Sequence, residues 1–126
     1  EYKATVKNNV LKIYIPELLP SFKNVKTHTH KRILLNIIEA TKPFLGLFEN
    51  KVFIYIKIYN NILGWDVDNR YIKPIADALT HGNIIKDDNF EKMSYGVKGE
   101  YSNNPHTEVY VFDGEDIDQL LLQYSI

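Results

Sequence analysis

With 126 residues, 44% of them hydrophobic and 25% charged, the chain has the size and composition of one globular domain spanning residues 1–126. It contains no cysteine, which excludes disulfides and thiolate metal sites and points to a reducing cytoplasm. The net charge of −1 speaks against a polyanionic partner only until its distribution is read. Residues 113–126 carry Asp113, Glu115, Asp116 and Asp118 and no base, so the rest of the chain sets fifteen basic residues against twelve acidic ones, a net of +3. No apolar run reaches the length of a bilayer span, no signal segment opens the chain, and no membrane role is expected.

In chain order, "ATVKNN" and "VLKIYIP" predict a hairpin turning at Asn8 and Asn9. Leu11, Ile13 and Ile15 fall on one face of its second strand, which stops at Pro16. "PELLPSFKNVKTHTH" is irregular. "KRILLNIIEATKPF" then places Ile33, Leu34, Ile37, Ile38 and Thr41 at helical spacing, with Thr29 as the expected cap and Pro43 as the stop. "KVFIYIKIY" alternates strictly, which puts Val52, Ile54, Ile56 and Ile58 on one face of a strand. "RYIKPIADALTHG" reads as a helix with Pro74 in its first turn and Gly82 at its end. "KMSYGVKGEY" and "HTEVYVF" read as strands joined by the turn "SNNP", and "EDIDQLLLQY" as an acidic-headed terminal helix. The order β-α-β-α-β-β-α predicts a small α+β domain, a mixed sheet with helices packed on it.

Residues 64–89, "GWDVDNRYIKPIADALTHGNIIKDDN", concentrate five of the sixteen acidic residues around Lys73. In an extended segment Asp66 and Asp68 share a face, and the helix that follows can return Asp87 and Asp88 to their neighbourhood. Carboxylates converging from two loops suit a hard cation, Mg²⁺ or Mn²⁺, able to bind phosphate oxygens and activate water. Lys73 would offer its ammonium to a pentacovalent phosphate. The same residues admit a plainer reading: Lys73 and Asp77 form a routine i, i+4 helix pair, and Asp87, Asp88 and Asn89 a surface turn.

The combination "DVDN", Lys73, "DAL", Gly82 and "DD", together with the upstream "IYIPELLPSFKN", resembles the RusA family of Holliday junction resolvases, over Val10 to Gly99. The resemblance implies a Mg²⁺-dependent endonuclease that cuts four-way DNA junctions as a homodimer in recombination and repair. It makes Asp66, Asp68 and Asp88 metal ligands and Lys73 catalytic, with Asp77, Asp87 and Asn69 supporting and Asn24 placing the DNA backbone. Lys23, Lys26, His28, His30, Lys31 and Arg32 form a basic segment suited to phosphates. Three residues stand between Asn69 and Lys73 where the family pattern has two, so the alternative is a junction binder of the same fold with impaired catalysis. A two-His zinc site at His28 and His30 lacks a third ligand. A nucleotide-sugar transferase using the Asp66/Asp68 pair lacks a nucleotide-binding pattern.

Overall fold

A computed structural model describes residues 1–67, 70–87, 92–115 and 117. The described chain is an α+β fold. Its elements are β1 (Lys3–Lys7), β2 (Val10–Ile15), α1 (Thr27–Thr41), β3 (Val52–Asn60), α2 (Lys73–His81), β4 (Met93–Tyr101) and β5 (His106–Asp113). The order is thus β-β-α-β-α-β-β rather than the expected β-α-β-α-β-β-α. The first hairpin contributes a full strand, and the expected terminal helix falls outside the described residues except at Glu115 and Ile117.

Asn8 and Asn9 both adopt positive φ, 52° and 64°, the geometry of a two-residue turn whose twist matches its flanking strands. The five strands lie in the order β1-β2-β5-β3-β4. β4 runs parallel to β3, so the chain crosses over between them, and α2 is that crossover. β5 enters antiparallel between β2 and β3. "SNNP" is therefore a turn, as expected, but the strands it joins are not neighbours. Its four residues step across the end of β3, about 10 Å or two strand spacings, within the roughly 13 Å that four residues reach. The Ser102 amide anchors this step by donating to the Asn60 carbonyl at 3.0 Å.

Both helices cover one face of the sheet. Ile33 and Ile37 of α1 and Ile75 and Leu79 of α2 are buried with Leu11, Ile13, Ile54, Ile56, Ile58, Val109 and Val111 in a single cluster. The alternation read in β2 and β3 is fully realised there. α1 begins at Thr27, two residues before the expected Thr29 cap, and no side chain caps it. Thr41 closes it, buried, with its hydroxyl donating to the Ile37 carbonyl at 2.8 Å, and Pro43 sits in the short 3₁₀ turn that follows. α2 ends at Gly82, where a Cβ would come within 2.9 Å of the Ala78 carbonyl oxygen; the left-handed residue is the next one, Asn83 (φ 56°).

Candidate binding groove at the amino end of α2

The loop from β3 to α2 is fastened at two places. Trp65 packs on the backbone of Gly99 in β4, and the Arg70 guanidinium lies 5.5 Å from the Trp65 ring. Further on, the Tyr71 amide donates to the Pro20 carbonyl at 2.8 Å and Arg70 Nη1 to the Leu19 carbonyl at 3.0 Å. These bonds tie the loop to the segment between β2 and α1. They also bring Phe22 and Tyr71 edge to face, with ring centroids 5.6 Å apart.

Between this aromatic pair and the β3–β4 edge lies an open groove of about 260 Å³. Ile54, Ile56 and Ile75 form its floor, Met93 and Tyr95 its far wall, and Ile72, Lys73 and Ala76 its helix side. Phe22 and Tyr95 are its lips, 55% and 53% exposed. Large aromatic surface left in water beside an apolar floor marks a place where another molecule gains by docking.

The rim is polar and continuous. Lys73 Nζ lies 3.1 Å from Asp77 Oδ1, Asp77 Oδ2 lies 3.2 Å from His30 Nε2, and His30 Nδ1 lies 3.1 Å from the Tyr71 hydroxyl. In the tautomer that carries its proton on Nε2, the His30 ring donates to Asp77 and accepts from the Tyr71 hydroxyl. The chain of bonds fixes the Tyr71 wall in place before any ligand arrives.

Several residues singled out in the sequence thus meet here, but in other roles. Lys73 and Asp77 form the i, i+4 pair of the plainer reading, and His30 joins them. Asp66 and Asp87 are exposed, and Asp68, Asn69 and Asp88 lie outside the described residues. Among the described residues no three His, Asp or Glu side chains are arranged to hold a metal ion. Arg32 is taken up in a bidentate pair with Glu17, at 2.6 and 2.7 Å, and the Tyr2 hydroxyl donates to the same carboxylate. The Arg32 guanidinium holds the Glu17 carboxyl below its ordinary range, against the opposing effect of burial. Lys23, Lys26, His28 and Lys31 are exposed, and Asn24 ends the 3₁₀ turn Phe22–Asn24. His81 is in the last turn of α2. The groove's own residues Phe22, Tyr71, and Met93 with Tyr95 come from three separate stretches, and no sequence spacing links the three.

No family model and no curated protein matches the chain. Among solved structures it is similar to the periplasmic domain of Helicobacter pylori MotB (11% identity, TM-score 0.46, covering 98% of this chain and 88% of that one). It is also similar to the cell-wall anchor of the T6SS from Pseudomonas aeruginosa (12%, 0.45, covering 88% and 87%). A third is an OmpA-like domain from Francisella tularensis (12%, 0.40, covering 88% and 79%). At these scores no function passes from them to this chain.

The resolvase reading is corrected here. No family model, that of the resolvases included, matches the chain, and the three similar structures are a periplasmic domain, a cell-wall anchor and an OmpA-like domain. With it go the endonuclease activity, the catalytically impaired junction binder, the branched-DNA partner and the homodimer that a two-fold junction would require. The cytoplasmic location is withdrawn as well, because lack of cysteine is compatible with either side of a membrane. Of the acidic residues in the run, Asp77 is turned toward Lys73 and His30, and Asp66 is exposed.

Proposed function

We propose that this domain is a non-catalytic binding module whose ligand site is the groove at the amino end of α2. Its ligand carries a small apolar group beside a carboxylate. The observation that carries this is the pairing of an apolar, aromatic-lipped groove of about 260 Å³ with the Lys73 ammonium on its rim. That volume sits just below the roughly 300–1,000 Å³ of typical ligand pockets, so it suits one or two aliphatic side chains of a longer ligand. The Lys73 side chain is 60% exposed, and an incoming carboxylate can approach it beside Asp77. Peptides ending in alanine have this chemistry, and so do the stem peptides of cell-wall peptidoglycan.

Calorimetry with a short peptide ending in D-alanine tests the reading, with its C-terminal amide as the control and co-sedimentation with purified sacculi as a second arm. Binding by the free acid, weakened about tenfold in the amide, is expected for the loss of one charge-assisted contact. Equal binding of acid and amide, or none of either, contradicts it.

Mg²⁺ at Asp66, Asp68 and Asp88 is also a proposal, supported by the spacing of these carboxylates in the sequence and the exposure of Asp66. Titration with Mg²⁺ should give heat that Asp66→Asn removes. Heat unchanged in that variant counts against the assignment.

A further inference from the structure

The sheet face opposite the helices carries its own pattern. β3 and β5 lay rings side by side across it: Phe53 with Phe112 (centroids 5.5 Å apart), Tyr55 with Tyr110 (6.2 Å) and Tyr59 stacked on His106 (4.3 Å, 9°). Tyr14 of β2 continues the platform, 5.2 Å from His106. Lys12 lies over the Tyr110 ring and Lys57 over Tyr59. The strand registers put Lys3, Lys7 and Lys98 on this face too, so five lysines stand against Glu100 and Glu108. A shallow depression of about 350 Å³ opens among Val10, Tyr55, Lys57, Tyr110 and Phe112.

We infer that this face binds an acidic polysaccharide, at a site separate from the groove. The tilted rings of Phe53, Tyr55, Tyr110 and Phe112 take the C–H faces of the sugars, and the surrounding lysines take their carboxylates. The excess of five lysines over two glutamates matches a polyanion and opposes a second copy of the same face. Glu108 decides between polyanions. It stands in the middle of the platform and accepts from the Tyr110 hydroxyl at 2.7 Å and from His106 at 3.1 Å. Burial raises its pKa, but these hydrogen bonds outweigh burial and hold it below the ordinary range, so it is ionised. A fixed anion among the rings accepts hydrogen bonds from sugar hydroxyls. A polysaccharide carries such hydroxyls on every unit, whereas the backbone of a DNA strand has none between its ends.

Affinity electrophoresis of the full chain through gels containing alginate, dextran or a single-stranded oligonucleotide tests this. Alginate should retard the protein and neutral dextran should not. Retardation should fall about tenfold in Lys12→Gln/Lys57→Gln, the scale of two lost solvent-exposed charge contacts. It should persist in Lys23→Gln/Lys26→Gln, a control with the same change in net charge away from this face, and in the groove variant Lys73→Gln. Tyr55→Ser, checked for folding by circular dichroism, should weaken it with the charge unchanged. No retardation by alginate, equal loss in the two double variants, or tighter binding of the oligonucleotide overturns the inference.

Discussion

Gly99→Ala probes how the β3–α2 loop is held. A Cβ at Gly99 would stand 2.9 and 3.2 Å from two carbons of the Trp65 ring and 3.6 Å from Val67 Cβ. Carbon atoms pack best about 3.5–4.0 Å apart, so the indole must move by roughly 0.5–1 Å. Overpacking of this kind costs about 1–3 kcal/mol, and Trp65 is at the sheet edge and half-buried, so the low end applies. Shifting the ring also loosens the Arg70 guanidinium above it, about 0.5–1 kcal/mol more. Against this, alanine in a strand interior gains about 0.5–1 kcal/mol over glycine. The net expectation is a loss of about 0.5–1.5 kcal/mol, read as a lower urea midpoint by circular dichroism. The sharper test is the cycle with Trp65→Ala. Without the indole the clash is gone, and Gly99→Ala should become stabilising by about 0.5–1 kcal/mol. The same loss in both backgrounds would refute the claim that Trp65 packs on Gly99.

Other outcomes follow from the same geometry. Glu17 has a folded pKa held below its ordinary 4.5 by the Arg32 pair, so its contribution is full above that value and disappears as pH falls through the lower one. With Glu17 29% and Arg32 48% exposed, the contribution is about 1 kcal/mol. Wild type should therefore lose more stability than Glu17→Gln in acid unfolding below about pH 4.5, and parallel curves would contradict this. Thr107→Val removes a buried hydroxyl that donates to the Glu17 carbonyl at 3.0 Å; a loss of about 1–2 kcal/mol is expected in urea melts. Asn9→Ala should cost about 1 kcal/mol and Asn9→Gly almost nothing, because only the alanine resists a φ of 64°. Ile56→Ala should cost about 2–4 kcal/mol, since the side chain is buried in the core beneath the groove.

What could be read from the residues was whatever local periodicity controls. β2 and β3 announce their buried faces by strict alternation, and the paired asparagines announce their turn. α2 is bracketed by Pro74 and Gly82. Strand order was not legible, because the insertion of β5 between β2 and β3 depends on contacts about a hundred residues apart, as between Leu11 and Val111. The groove was hidden for the same reason: Phe22, Tyr71 and Tyr95 meet only after the parallel β3–β4 crossover has formed. Within the acidic run 66–88, Asp77 takes a partner from outside the run. His30, 47 residues before Asp77, proved to be the partner that spacing could not name.

The central claim, that the groove at the amino end of α2 is a ligand site, has a single-atom reporter. Met93 is the only methionine and lines the groove, so labelling methionine ε-methyl groups with carbon-13 places one NMR probe at the far wall. Adding the D-alanine peptide should shift that one resonance in a saturable way. Intermolecular Overhauser contacts should run from the ligand methyl to Met93, and Lys73→Gln should weaken the shift. A Met93 methyl signal that stays fixed while calorimetry still records binding would place the ligand elsewhere and contradict the account.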